Sequence, residues 1–88
     1  MKVKLDGVEW SLTRRGRSRG VERTHGYVLS DRKTIYLNPR LKGKELIEFA
    51  IHELLHARFL DLDEESVDDA AKAITSVLHR LGVRHVIE

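Results

Sequence analysis

The hydrophobic period of this chain changes once, and that change decides what it can fold into. Up to about Leu37 the apolar residues fall in short runs at alternate positions, as in "KVKLDGVEW" and "KTIYLN". From about Lys44, Leu46, Ile47, Ala50, Ile51, Leu54, Leu55 and Ala57 recur at helical spacing. A period of two suits strands and a period near 3.6 suits helices, so strands come first and helices follow, an α+β arrangement. In 88 residues there is room for one small domain, residues 1–88, around a single core.

In the first part, Val3 and Leu5 are answered by Val8, Trp10 and Leu12 across Asp6-Gly7, the pattern of a two-residue hairpin. "HGYVLS" and "KTIYLN" flank Asp31-Arg32 and suggest a second hairpin before the Asn38-Pro39 turn. Residues 2–37 therefore predict a sheet of three to four strands. Between the hairpins, "RRGRSRG" has no apolar member for a core to hold and reads as a basic loop.

The first helix, expected over residues 43–60, is apolar nearly all round, which marks a buried helix. A second is expected over residues 63–82, with Asp63 as N-cap, acidic residues in its first turn and Gly82 at its end. Val67, Ala70, Ala71, Ile74, Leu78 and Leu81 give it an apolar stripe. The short connection makes the helices an antiparallel pair, expected on one face of the sheet.

With 41% hydrophobic and 34% charged residues and no run of about 18 apolar ones, a soluble protein with no membrane partner is expected. The opening "MKVKLDGVEW" lacks the apolar region of a secretory signal, and cysteine is absent, so the expected compartment is the cytoplasm. Any metal site must then be built from His, Asp and Glu. Residues 1–58 carry 13 Lys/Arg against 7 Asp/Glu, while residues 59–88 carry 3 against 7.

Inside the first helix, "IHELLHARF" places His52 and His56 four residues apart, one turn above the other, so that both imidazoles can aim at one point. Glu53 follows at about 100° around the helix, beside such a point, where a carboxylate can deprotonate a water that a metal has acidified. This is the chemistry of the His-Glu-x-x-His pattern. The competing account is a hydrogen-bonded polar trio without metal.

A third ligand has to come from the start of the second helix, because His56 is about one turn from the end of the first. Asp63, Glu64, Glu65, Asp68 and Asp69 are the candidates. Taking Val67, Ala71, Ile74 and Leu78 as the inward stripe, Asp63 and Glu64 point inward, Glu65 and Asp69 point away, and Asp68 is marginal. Asp63 is needed as the cap, so Glu64 is the expected ligand and Asp68 the runner-up. Asp68, one turn on, could otherwise orient a liganding histidine.

"IHELLHA", preceded by the strand-like "KTIYLNP" and followed by an acidic residue opening a second helix, resembles the zincin metallopeptidases of the gluzincin kind. It is especially similar to the minimal ones, the ImmA/IrrE-like and SprT-like proteins and small phage-type chains ending in a helix with an "RLG" tail. The resemblance covers residues 34–82 well and the N-terminal strands loosely. It implies His52 and His56 as zinc ligands, Glu53 as general base, a downstream acidic third ligand and hydrolysis of a peptide or protein substrate. The connection from His56 to Glu64 is shorter than gluzincins usually have, and the Glu-Ala-Asp/Asn signature of the ImmA/IrrE-like group is missing.

By the same resemblance a substrate peptide would lie along an edge strand, "HGYVLS" or "KTIYL". Tyr27, Tyr36, His25 and His79 are candidates to hold an oxyanion or the substrate. Arg14, Arg15, Arg17, Arg19 and Arg23 carry a second hypothesis, non-specific phosphate contacts from a basic nucleic-acid-binding loop. SprT-like proteases act next to DNA, so the two readings are compatible. A third is a zincin fold that binds a partner without cleaving it. The oligomeric state is open.

Overall fold

A computed structural model describes residues 1–14 and 25–83. Four strands precede two helices: β1 (Lys2–Leu5), β2 (Val8–Thr13), β3 (Gly26–Leu29), β4 (Thr34–Leu37), α1 (Gly43–Arg58) and α2 (Glu64–Arg80). The fold is α+β, a four-stranded mixed sheet followed by a packed helix pair. Among the described residues no helix is long and apolar enough to cross a membrane.

Both hairpins form where the local sequence directs them. Asp6 (φ 52°) and Gly7 (φ 78°) both take positive φ, the backbone of a type I′ turn, and this sets the antiparallel register Leu5 to Val8 and Val3 to Trp10. The second hairpin is not a two-residue turn. Ser30–Arg32 wind into one 3-10 turn closed by Lys33 in the left-handed region (φ 49°), and β3 then pairs antiparallel with β4, Leu29 opposite Thr34.

The hairpins join side by side through a parallel β2–β4 ladder, so the strand order is β1-β2-β4-β3. β4 is therefore interior and β3 lies at the edge. Of the two edge candidates in the sequence, "KTIYL" is excluded because its backbone is paired on both sides, and "HGYVLS" remains.

Alternation gives the sheet one apolar face. Trp10, Leu12, Ile35 and Leu37 are buried there, with Val3, Leu5 and Val28 partly buried beside them. α1 covers this face, adding Leu46, Ala57, Phe49, Ala50 and Leu54 to the same cluster. It packs mainly on β3 and β4, and α2 packs against its other side. Sandwiched in this way, α1 has no fully exposed residue from Leu46 to Ala57.

The ends of α2 are set by local chemistry. The Asp63 carboxylate accepts the Ser66 N–H at 2.7 Å, which caps the first turn and holds that carboxyl below the usual carboxylate range. At the other end Gly82 (φ 88°) donates to His79 O and Val83 N–H to Leu78 O, a Schellman closure.

The inward face of α2 differs from the expected stripe. Val67, Ala71 and Thr75 are buried, while Ile74 is 42% exposed. An every-fourth-residue line of small side chains lets α2 lie close on α1, where the larger Ile74 would hold the helices apart.

Candidate metal centre

The two histidines stand on the side of α1 that meets the start of α2. Their ring centroids are 4.9 Å apart, as one helical turn requires. The five residues between the helices turn the chain back at once, so the first residue of α2, Glu64, arrives beside them. One Glu64 oxygen lies 2.7 Å from His52 Nε2 and the other 2.9 Å from His56 Nε2. Taking one donor atom from each residue, the three lie within 4.8 Å of one another, and this His-His-Glu group could hold a metal ion.

Asp68, the runner-up, is not in that group. Its carboxylate bonds Lys72 at 2.9 Å, which holds it below the usual carboxylate range, and stands 4.0 Å from His52 Nδ1. That nitrogen is buried and has no hydrogen-bond partner. Of the remaining acidic candidates, Asp63 is the helix cap.

Glu53 is 7% exposed, between α1 and the sheet. Burial pushes its carboxyl up, His52 and His56 oppose this, and the Glu64 carboxylate adds to it. Gly26 at the start of β3 makes the approach possible. A Cβ there would overlap the Tyr36 carbonyl oxygen and come within 3.2 Å of Glu53 Oε2 and of Leu37 Cδ2. The sequence reading missed this residue; the available signal was a glycine opening a β-prone run, which marks close approach of something to the backbone.

An open cleft runs past these groups, lined by His25, Gly26, Tyr27, Glu53, His56 and Glu64. Phe49 forms part of its wall and stacks flat on His25, ring centroids 3.7 Å apart and planes within 3°. On its other side Phe49 packs against His52, at 5.9 Å. Of the proposed oxyanion or substrate groups, His25 and Tyr27 reach the cleft.

Tyr27 and Tyr36 face each other across β3 and β4 and stack at 4.9 Å. By alternation their side chains project from the sheet face opposite Val28, Ile35 and Leu37, away from α1. They form a cross-strand pair, and of the two Tyr27 borders the cleft. His79 is excluded, because it lies in the last turn of α2, about 22 Å along the helix from Glu64 at 1.5 Å per residue.

The arginine hypothesis is changed at its first member. Arg14 Nη2 donates to the carbonyls of Pro39 at 2.8 Å and Leu41 at 2.6 Å, tying the end of β2 to the turn before α1. A guanidinium used in this way is a structural clamp. Arg15, Arg17, Arg19 and Arg23 lie outside the described residues.

No protein-family model, curated protein or solved structure matches the chain.

Proposed function

We propose that the chain is a zinc-dependent hydrolase of peptide bonds. The observation that carries this reading is the convergence of His52 Nε2, His56 Nε2 and a Glu64 oxygen beside the buried Glu53, on one wall of an open cleft. Two imidazoles and one carboxylate are a donor set suited to zinc, and three protein ligands leave a position for reaction. The orphaned His52 Nδ1 fits as well. An ion at Nε2 requires the proton on Nδ1, and the Asp68 carboxylate, 4.0 Å away, is a nearby group that could accept it after a small side-chain shift.

Zinc bound here would supply a Lewis acid for the scissile carbonyl and lower the pKa of water to about 7. Glu53 takes the proton of the attacking water and returns it to the leaving nitrogen. A carboxyl whose pKa is raised by burial is suited to both steps, since it is a better base than an exposed glutamate and holds the proton it has taken more readily until it is passed on. The outer side of β3 pairs with no strand among the described residues, so an extended peptide can add there beside Glu53. The cleft is open, which favours recognition of substrate backbone over an enclosed side-chain pocket.

The test begins with metal content, measured on protein purified without a metal-affinity tag, wild type beside His52→Ala. About one zinc per chain, lost in the variant, is expected. Turnover of a broad peptide library should then vanish in Glu53→Gln while its zinc content stays. Absence of zinc from the wild type after incubation with the metal sinks the metal reading. Zinc with no turnover, and Glu53→Gln indistinguishable from wild type, sinks hydrolysis and leaves a binding protein.

A further inference from the structure

The outer side of α2 carries an apolar row that nothing in the chain's described residues covers. Ile74, Val77 and Leu81 are 42, 55 and 74% exposed and recur at intervals of three and four, so they line one side of the helix. Ala70 and Ala73 extend the row toward the N-terminus. At about 100° per residue the row is centred roughly 100° around the helix from the buried line of Val67, Ala71 and Thr75. It is a second apolar face, separate from the one that packs on α1.

The charges of α2 run in opposite senses along its length. Glu64, Glu65, Asp68 and Asp69 occupy its first half, and His79 and Arg80 its last turn. Asp69 and Arg80 lie on the same flank of the apolar row, about 20° apart around the axis. Neither is in an ion pair among the described residues.

We propose that α2 pairs antiparallel with α2 of a second copy of this chain, around a two-fold axis passing between Ile74 and Val77. Under that axis Ile74 of one copy meets Val77 of the other, and Ala70 meets Leu81. An axis perpendicular to the two helices keeps each flank on its own side. Asp69 of each copy therefore comes alongside Arg80 of the other, giving two equivalent charge contacts. A parallel pairing would set four carboxylates against four, so the charge pattern selects the antiparallel one. The contact is self-complementary and closed, as a two-fold dimer requires. Glu64 lies about 120° around the helix from the row, so both metal clefts stay open in the dimer.

Sedimentation of the full chain tests this. At roughly 100 µM the wild type is expected at twice its 10.2 kDa chain mass. Val77→Glu buries two unpaired carboxylates at the axis and should weaken the dimer at least about tenfold. Its helical circular dichroism should be unchanged, since the position is exposed in the single chain. Leu81→Ser, at a still more exposed position, provides a second variant with the same expected direction. Asp69→Arg should also weaken the dimer, and adding Arg80→Glu should restore it. A monomeric wild type overturns the proposal, as does a dimer unmoved by folded Val77→Glu and Leu81→Ser. A double charge exchange that fails to restore pairing overturns the antiparallel arrangement.

Discussion

Adding one methyl group at Gly26 tests the tightest part of the site. The residue sits opposite Leu37 in the β3–β4 ladder. A Cβ there overlaps the Tyr36 carbonyl and comes within 3.2 Å of both Glu53 Oε2 and Leu37 Cδ2. Relief is hard to find on either side. Leu37 is 1% exposed and cannot rotate away, and the Tyr36 carbonyl belongs to a strand paired on both edges. The edge strand β3 has to move outward, and α1 has to give by a few tenths of an ångström. Overpacking of this kind costs about 1–3 kcal/mol. For a domain of this size each kcal/mol lowers Tm by about 4–8 °C, so Gly26→Ala should melt about 4–24 °C below wild type. Thermal unfolding followed by circular dichroism in a chelating buffer measures this without metal linkage. Zinc affinity should be preserved, because all three proposed ligands lie on the helices, while turnover should fall because Glu53 is displaced. A Tm within about 2 °C of wild type refutes the reasoning, since β3 and α1 would then have room that the contacts deny.

Zinc at 100 times its dissociation constant should stabilise the protein by about 2.7 kcal/mol, visible as a rise in Tm. Glu64→Ala should lose most of that rise, and retention of it would remove Glu64 from the ligand set. Asp63→Ala should lower Tm by a few degrees at neutral pH. The folded Asp63 carboxyl is depressed by Ser66, so its stabilisation is complete above the ordinary value of 3.8 and is lost as pH falls through the folded value. The gap between Asp63→Ala and wild type should therefore close in acid, and a gap that widens there contradicts the capping role. Arg14→Ala should cost about 1–3 kcal/mol in denaturant unfolding, from two charge-assisted hydrogen bonds to backbone carbonyls. An unchanged unfolding midpoint would refute the clamp.

The features that were legible in the sequence are those whose cause is local. Asp6-Gly7 takes the two positive φ values that its hairpin needs, and Asp63 and Gly82 close the ends of α2 through partners within five residues. His52 and His56 share a side of α1 because a helix puts residues four apart one above the other. The short connection limits which acidic residues can reach them, and Glu64 stands at both imidazoles.

What only the tertiary structure decided depends on residues far apart in the chain. Local turn chemistry specifies each hairpin, but the parallel β2–β4 junction joins strands from different hairpins, and that junction makes β3 the edge. The inward line of α2 runs through Thr75 and not Ile74, because close packing against α1 outweighs side-chain polarity at a single position. The close approach of Glu53 to Gly26, the Arg14 clamp and the stacked Tyr27–Tyr36 pair arise in the same way. Periodicity and capping are written into neighbouring residues. The side from which a distant backbone arrives is settled only by the packing of the whole chain.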